Sequence, residues 1–383
     1  MSKTNKILGL KSLKVKYNGR YVGTLAMMKN GMIAFSYDDS WLEEGFAISP
    51  FSLPLEKRVF VPTKNYFGGL FGVFADSLPD AWGRLLLDRF LLEKNIDRDI
   101  TVLDRLAMVG QSGMGALEYE PDYKISETSD IHDLDYLAKE CGKILKTEHS
   151  SDLDSIFKMA GSSGGARPKI LTTIDDKNWI IKFASQYDAD DIGLQEYKYS
   201  MCAKRCGIEM TETRLFKSNT CDGYFGTTRF DRENNRDNIH VATVSAILEA
   251  DFQAPCLDYN DLFKLTRILT RENNNEIENM FRRMCFNVFA HNRDDHAKNF
   301  SFMYDEKLDK WKLSPAYDLT YSNTYWGEHT TSVDGNGKNP GVKELISVGM
   351  KAGLKKGKCK DIIEEISEKV QEDLGEYIKD STR

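Results

Sequence analysis

One helix candidate stops at a charged loop, and that stop constrains the fold more than any other feature of the chain. Residues 276–289 place Ile277, Met280, Phe281, Met284 and Val288 on one helical face. The pattern breaks at His291, and the chain then reads HNRDDHAKNF over 291–300. A hairpin pattern follows: FSFMY, the polar turn DEKLD, then KWKLSPAY, leading to Tyr317-Asp318-Leu319. Within the loop, Asp294 and Asn299 stand in D-x-x-x-x-N spacing. Phosphoryl transfer needs two groups in such a place. A carboxylate must orient the attacking hydroxyl and accept its proton, and an amide oxygen must hold a metal ion on the phosphates.

Loop, hairpin and a second aspartate are the order of the catalytic half of a kinase. Asp318, after the hairpin, corresponds to the carboxylate that binds the bridging Mg2+ there. His296, two residues after Asp294, falls where protein kinases carry lysine and many small-molecule kinases carry histidine. The upstream half supplies matching parts. Lys182 ends the apolar run Trp179-Ile180-Ile181, and Glu196 lies early in the next helix candidate, an order that would put Lys182 on the α- and β-phosphates. Before both comes GSSGGARPK (161–169), whose small residues would let backbone N–H groups approach phosphate oxygens. Singly, each feature has a plain structural reading: D-x-x-x-x-N recurs by chance, a strand-end lysine is usually only exposed, and a Ser/Gly loop is usually a linker. Their fixed order on suitable elements carries the phosphotransferase expectation. No G-x-G-x-x-G opens a βα unit, no G-x-x-x-x-G-K-[ST] is present, and His291 and His296 lack an H-E-x-x-H frame.

Composition sets the remaining bounds. The chain has 383 residues, 41% of them hydrophobic, so it folds and is long enough for two or three units. Its net charge of −7 argues against coating nucleic acid through a global field. The lysine-rich stretch Lys351 to Lys360 reads as a solvated loop. The basic N-terminus lacks a continuous apolar core, so no secretory signal is expected, and no run reaches membrane-spanning length. The seven cysteines include no CxxC pair. Cys202 and Cys206, one helical turn apart, read as buried free thiols of a reducing, cytoplasmic compartment.

The expected layout is a β-rich module over 1–125, a polar connector over 125–133, a β-rich unit over 150–235 and a helical unit over 236–383. In the first, residues 13–36 alternate as a short meander, and Leu78-Pro79-Asp80 opens a helix with Pro79 in its first turn and an apolar stripe of Trp82, Leu85, Leu86, Phe90 and Leu91. In the second, KILTTI and NWIIKFA form a hairpin, 194–206 a helix, and ETRLF and YFGTTRF two more strands. In the third, helices are expected over 242–249, 259–269 and 276–289, with an amphipathic helix at the C-terminal end.

Together these segments resemble the HipA family of bacterial serine/threonine kinases, the toxin half of HipBA toxin–antitoxin pairs. FADSLPDAWGRLLLDR (74–89) resembles the N-terminal module of that family, and GSSGGARPK its serine-bearing loop. WIIKF, RFDR (229–232), DDHAKNFSF and SPAYDLT follow in the family's order. The resemblance implies an α+β fold: a two-lobed protein-kinase-like core, with a β-rich small lobe and a mostly helical large lobe, beside an N-terminal β-rich module. It implies Asp294 as catalytic base, Asn299 and Asp318 as Mg2+ ligands, and Lys182 with Ser162, Ser163, Gly164 and Gly165 on the phosphates of ATP. Thr228 and Phe230 would offer backbone atoms to adenine, and Asp231 would sit near the ribose. Autophosphorylation would fall on Ser162 or Ser163. The implied substrate is a protein, in known cases one serving translation, such as an aminoacyl-tRNA synthetase. The implied partner is a HipB-like antitoxin through which DNA is mainly contacted. Two rival readings stand beside it: a small-molecule kinase of the aminoglycoside type, which shares the D-x-H-x-x-N loop, and a catalytically silent nucleotide-binding module.

Overall fold

The computed structural model describes residues 9–95, 100–123, 133–160, 164–232, 237–254, 257–324 and 327–379. The chain forms two compact units, one from 1–190 with 216–242 and 246–249, the other from 191–215 with 243–245 and 250–383. The expected connector over 125–133 lies outside the described residues except for Asp133.

The first unit opens with an antiparallel sheet of order β4-β3-β2-β1-β5, made of β1 (Ser12–Tyr17), β2 (Arg20–Met27), β3 (Ile33–Tyr37), β4 (Val59–Phe60) and β5 (Leu117–Glu120). Asn18 and Gly19 both take positive φ in the β1–β2 turn, the geometry that lets a two-residue turn follow the twist of its strands. Short helices α1 (Asp39–Glu44) and α2 (Gly72–Ala75) precede α3 (Ala81–Glu93) and α4 (Val102–Val109), and α5 (Leu134–Leu145) and α6 (Leu153–Ala160) follow the sheet in sequence. Asp80 is the N-cap of α3, so Pro79 precedes the cap instead of occupying the first turn.

A second antiparallel sheet carries the segments that resembled a phosphate site. β6 (Lys169–Ile174) and β7 (Lys177–Lys182) pair across Asp175-Asp176, both at positive φ. The division between the units falls within β8 (Thr213–Phe216), and β9 (Tyr224–Thr228) then pairs with β7. One buried cluster joins Trp82, Leu86 and Leu91 of α3 to Ile144 of α5, Ile156 and Phe157 of α6, and Ile170, Trp179 and Ile181 of the hairpin. Each such side chain contributes about 1.5–3 kcal/mol when fully removed from water. Helix α3, expected in the 1–125 module, therefore shares a core with the hairpin of the 150–235 unit, and α5 and α6 complete that core.

In the second unit the long α12 (Lys356–Lys379) packs on α7 (Ile192–Arg205), α10 (Asn274–Phe289) and α11 (Val342–Lys351), and α9 (Tyr259–Leu269) packs on α10 and α11. Gly349 permits the closest approach, since a Cβ there would lie 2.6 Å from both Phe281 and Cys359. Near the division, the helix expected over 242–249 is a strand, β10 (Val241–Thr243), followed by only four helical residues, α8 (Val244–Ile247). The β-branched Val241 and Thr243 favour the strand, and Glu249 at positive φ follows the end of the helix. The stretch 351–360 is helical on both sides of a short break, not a loop, because Cys359 is drawn fully into the core while the lysines stay outside. β11 (Leu257–Asp258) pairs in parallel with β14 (Thr331–Ser332), and β12 (Ser301–Asp305) forms the expected hairpin with β13 (Lys310–Leu313). Cys202 and Cys206 are buried and free. Among the described residues, no helix is long and apolar enough to cross a membrane.

Candidate functional site

Gly164, Gly165, Lys182, Thr228, Phe230 and Asp231 lie in the first unit, and Glu196, Asp294, His296, Asn299 and Asp318 in the second. Ser162 and Ser163, with Gly161, lie outside the described residues.

In the first unit the phosphate-loop candidate is held by the start of α3. The Gly165 N–H donates to Asp80 Oδ2 at 3.1 Å, and the Trp82 N–H donates back to the Gly165 carbonyl at 3.2 Å. Trp82 Nε1 donates to the Lys169 carbonyl at 3.2 Å, and Lys169 Nζ donates to the Gly164 carbonyl. Gly165 needs its missing side chain twice over: its φ is +83°, and a Cβ would come within 2.6 Å of Lys169 Nζ. Asp80 makes no capping bond to its own helix, so its carboxylate serves the loop instead. Arg167 forks onto Asp188 at 3.1 and 3.2 Å. Burial alone would raise the Asp188 carboxyl, but the Ser185 N–H and the Arg167 charge outweigh it and hold it below the ordinary range. Lys182 closes β7 with Nζ 5.6 Å over the Phe225 ring of β9.

Thr228 ends β9 opposite Trp179, and the Arg229 N–H donates to the Asn178 carbonyl at 2.8 Å, where the chain leaves the sheet. Asp231, expected near a ribose, has its carboxylate engaged by groups of the protein. Its carboxylate is buried and accepts from Arg229 Nε and Nη2 at 2.9 and 2.7 Å, Arg232 Nη1 at 2.9 Å and the Gly115 N–H at 2.7 Å. The two arginines continue to the Gly113 carbonyl at 2.9 and 2.7 Å. Burial opposes the charge on Asp231, yet Arg229 and Arg232 override it and hold the carboxyl far below its ordinary value. The RFDR segment is therefore a strap onto residues 111–115, which spacing alone did not disclose.

In the second unit the loop after α10 brings Asn299 back onto Asp294. The Asn299 Nδ2 donates to the Asp294 carbonyl at 2.6 Å, which turns Asn299 Oδ1 the other way. His296 Nδ1 accepts from the Lys298 N–H at 3.2 Å, so its ring proton resides on Nε2, 3.7 Å from Asp294 Oδ1. Tyr317 donates its phenol proton to the Lys298 carbonyl at 2.7 Å, and the residues after these two are Asp318 and Asn299. Asp318 has φ +52°, a conformation that a non-glycine residue adopts at a cost of about 1–3 kcal/mol and that clusters at functional sites. Asp294 keeps 55% of its side chain exposed, whereas its neighbour Asp295 is wholly buried. D-x-x-x-x-N spacing singles out Asp294 in the sequence, and Asp294 is the exposed member of the pair. Among the described residues, no group of three or more His, Cys, Asp or Glu side chains is placed to hold a metal ion. Asn299 and Asp318 are hard oxygen donors of the type Mg2+ takes, and two protein donors suit an ion whose other ligands are phosphates and water. Glu196 is buried on α7.

The chain has a mixed α/β fold with several antiparallel sheets and a helical second unit. Residues 161–374 match the HipA-like C-terminal domain and residues 13–120 the HipA N-terminal domain, and the chain belongs to the HipA family. It is 25% identical over 347 residues to "Putative kinase Y4mE" of Sinorhizobium fredii, covering 82% of this chain and 78% of that protein. It is 24% identical over 346 residues to "Putative kinase Y4dM" of the same organism, covering 84% and 80%. In fold it is similar to HipA of Shewanella oneidensis MR-1, solved with HipB and operator DNA, at a TM-score of 0.70 and 18% identity over 96% of this chain and 90% of that one.

Proposed function

We propose that the chain is an ATP- and Mg2+-dependent serine/threonine protein kinase, the toxin of a toxin–antitoxin pair. The observation that carries this reading is the 294–299 loop, where a half-exposed carboxylate stands on a backbone fixed by the Asn299 amide at 2.6 Å. In this reading the β6–β7–β9 sheet belongs to the small lobe and the second unit is the large lobe. Asp294 orients the acceptor hydroxyl and takes its proton, and His296 steadies the loop through its bond to the Lys298 N–H. Asn299 Oδ1 and Asp318 hold Mg2+, which when bound neutralises charge on the phosphates. Lys182 takes the α- and β-phosphates, and the Gly164-Gly165 backbone covers them. Thr228 and Phe230 offer backbone groups to adenine. Asp231 is left out of the nucleotide set because its carboxylate is fully engaged.

The acceptor is a protein, of the class that serves translation, and the enzyme also phosphorylates its own Ser162 or Ser163. A HipB-like DNA-binding antitoxin is the proposed partner, the main route to DNA, and the cytoplasm the proposed compartment. Support comes from family membership and from the Shewanella HipA solved with HipB and operator DNA. His296 favours one alternative, a small-molecule kinase, since such enzymes carry histidine at that place. A lysate supplied with γ-labelled ATP separates the two. The proposal expects label on serine or threonine of discrete proteins and on the kinase itself, lost with Asp294→Ala. Label confined to small molecules would favour the alternative, and no transfer despite Mg2+-ATP binding would favour a silent binding module.

A further inference from the structure

Behind the exposed Asp294 lies a buried polar cluster that the proposed chemistry leaves unassigned. Asp295 has a fully buried side chain. Its Oδ2 accepts from the Tyr259 hydroxyl and from His329 Nδ1, both at 2.9 Å, and its Oδ1 from the Thr331 N–H at 3.1 Å. The Thr331 hydroxyl donates to the Asp295 carbonyl. A carboxylate only accepts, so the His329 proton on this side is carried by Nδ1. Tyr259 is held protonated, first by burial and then by the Asp295 charge. Its oxygen accepts from Asn287 Nδ2 at 2.9 Å, and Asn287 Oδ1 accepts from Asn292 Nδ2 at 2.9 Å. The Arg293 carbonyl accepts both the N–H and the hydroxyl of Thr330 at 3.0 Å, while the Arg293 N–H donates to the Ser322 carbonyl at 3.2 Å.

These bonds converge on residues 292, 293 and 295, on both sides of Asp294. Burying a carboxylate is costly, and an apolar cluster of similar volume would hold the same helices at least as well. What the polar cluster adds is direction: its donors aim at the Arg293 carbonyl on one side of Asp294 and at the carboxylate and carbonyl of Asp295 on the other. The segment 329–331 is itself anchored, by the parallel pairing of Thr331-Ser332 with Leu257-Asp258 just before Tyr259 and by the His329 N–H on the Gly337 carbonyl at 2.7 Å.

We propose that Asp295, His329 and Tyr259 are positioning residues that fix the backbone on either side of Asp294, so that the base enters the reaction with only its side-chain torsions to settle. This rests on the reading of Asp294 as the base. A misplacement of 1 Å at such a group lowers turnover about 100-fold.

The test uses the full chain with His329→Leu, His329→Asn and Tyr259→Phe. The asparagine amide nitrogen stands where Nδ1 stood and restores the donor; leucine does not. Hydrogen exchange of the 291–300 backbone, kcat, and KM for Mg2+-ATP are measured on folded protein. His329→Leu and Tyr259→Phe should speed exchange in the loop and lower kcat by about tenfold or more, within the range such misplacement allows, with KM near the wild-type value. His329→Asn should return both readouts toward wild type. Unchanged exchange and kcat in His329→Leu and Tyr259→Phe, or an asparagine variant as impaired as leucine, would overturn the assignment. Should His329→Leu fail to fold, Tyr259→Phe, nearly equal in volume, carries the same comparison. A wild type that transfers no phosphate would instead sink the kinase reading, and loop exchange would still decide whether the cluster fixes the backbone.

Discussion

Replacing Asp231 with asparagine separates two roles for the RFDR segment. In the structure the Asp231 carboxylate bonds both Arg229 and Arg232, whose side chains are each 11% exposed. Burial and the neighbouring Arg229 already push Arg232 down to about 10. Asp231→Asn keeps the shape but leaves two buried guanidiniums facing a neutral amide. Breaking a buried pair in this way costs about 3–5 kcal/mol. For a unit of roughly 200 residues, that corresponds to a fall in Tm of about 6–20 °C. The sign of the pH effect follows from the same contacts. The folded carboxyl lies below its unfolded value of 3.8, so its contribution is present above that value and is lost as pH falls below it. The variant should therefore lose stability at neutral pH and lose the acid-induced decline this group causes. Urea and thermal unfolding at several pH values, with calorimetry of Mg2+-ATP binding, read both. A variant as stable as wild type that no longer binds ATP would refute the anchoring role and restore the ribose role.

Three further outcomes are expected. Burial pushes His240, bonded to the Ile48 carbonyl at 2.8 Å, from 6.5 down to about 4, so its neutral form is favoured in the fold and stability declines as pH falls from 6.5 toward 4. The full loss is about 3 kcal/mol at about 1.4 kcal/mol per pH unit, and His240→Gln should flatten that part of a urea-measured stability profile; an unchanged slope would count against it. Asp80→Ala removes the acceptor of the Gly165 N–H, and at about 1 kcal/mol for such a bond, calorimetry should find Mg2+-ATP bound roughly fivefold more weakly; equal affinity would mean the bond does not set the loop. Asp318→Gly relieves a positive φ and should leave stability unchanged or raise it by about 1 kcal/mol, while abolishing the gain in ATP affinity that Mg2+ confers; a retained gain would remove Asp318 from the metal set.

The helices over 259–269 and 276–289, the β6–β7 hairpin and the 294–299 loop were legible because local signals agree there. Apolar periodicity, a capping aspartate at 258, and turn aspartates that tolerate positive φ all act within a few residues. What stayed hidden depends on distant partners. Asp80 could not be read as a loop holder, because Gly165 lies 85 residues away. Asp231 read as a ligand contact because its partners at 111–115 and its burial appear only in three dimensions. The packing of α3 on the hairpin was not legible, since the polar stretch near 125–133 gives no hint that the elements on either side pack together. Asp294 and Asp295 look alike in sequence; D-x-x-x-x-N spacing selected the exposed one, and the buried one awaited its three donors.

The most direct test of the central claim is single-turnover transfer from γ-labelled ATP at saturating nucleotide, comparing wild type with Asp294→Asn. The loop geometry predicts Mg2+-ATP bound with near-equal affinity by both proteins, and a transfer rate lowered by about 10²–10³ in the variant, as for removal of one key transition-state contact. Transfer by Asp294→Asn at the wild-type rate would contradict the assignment of this loop as the site of chemistry.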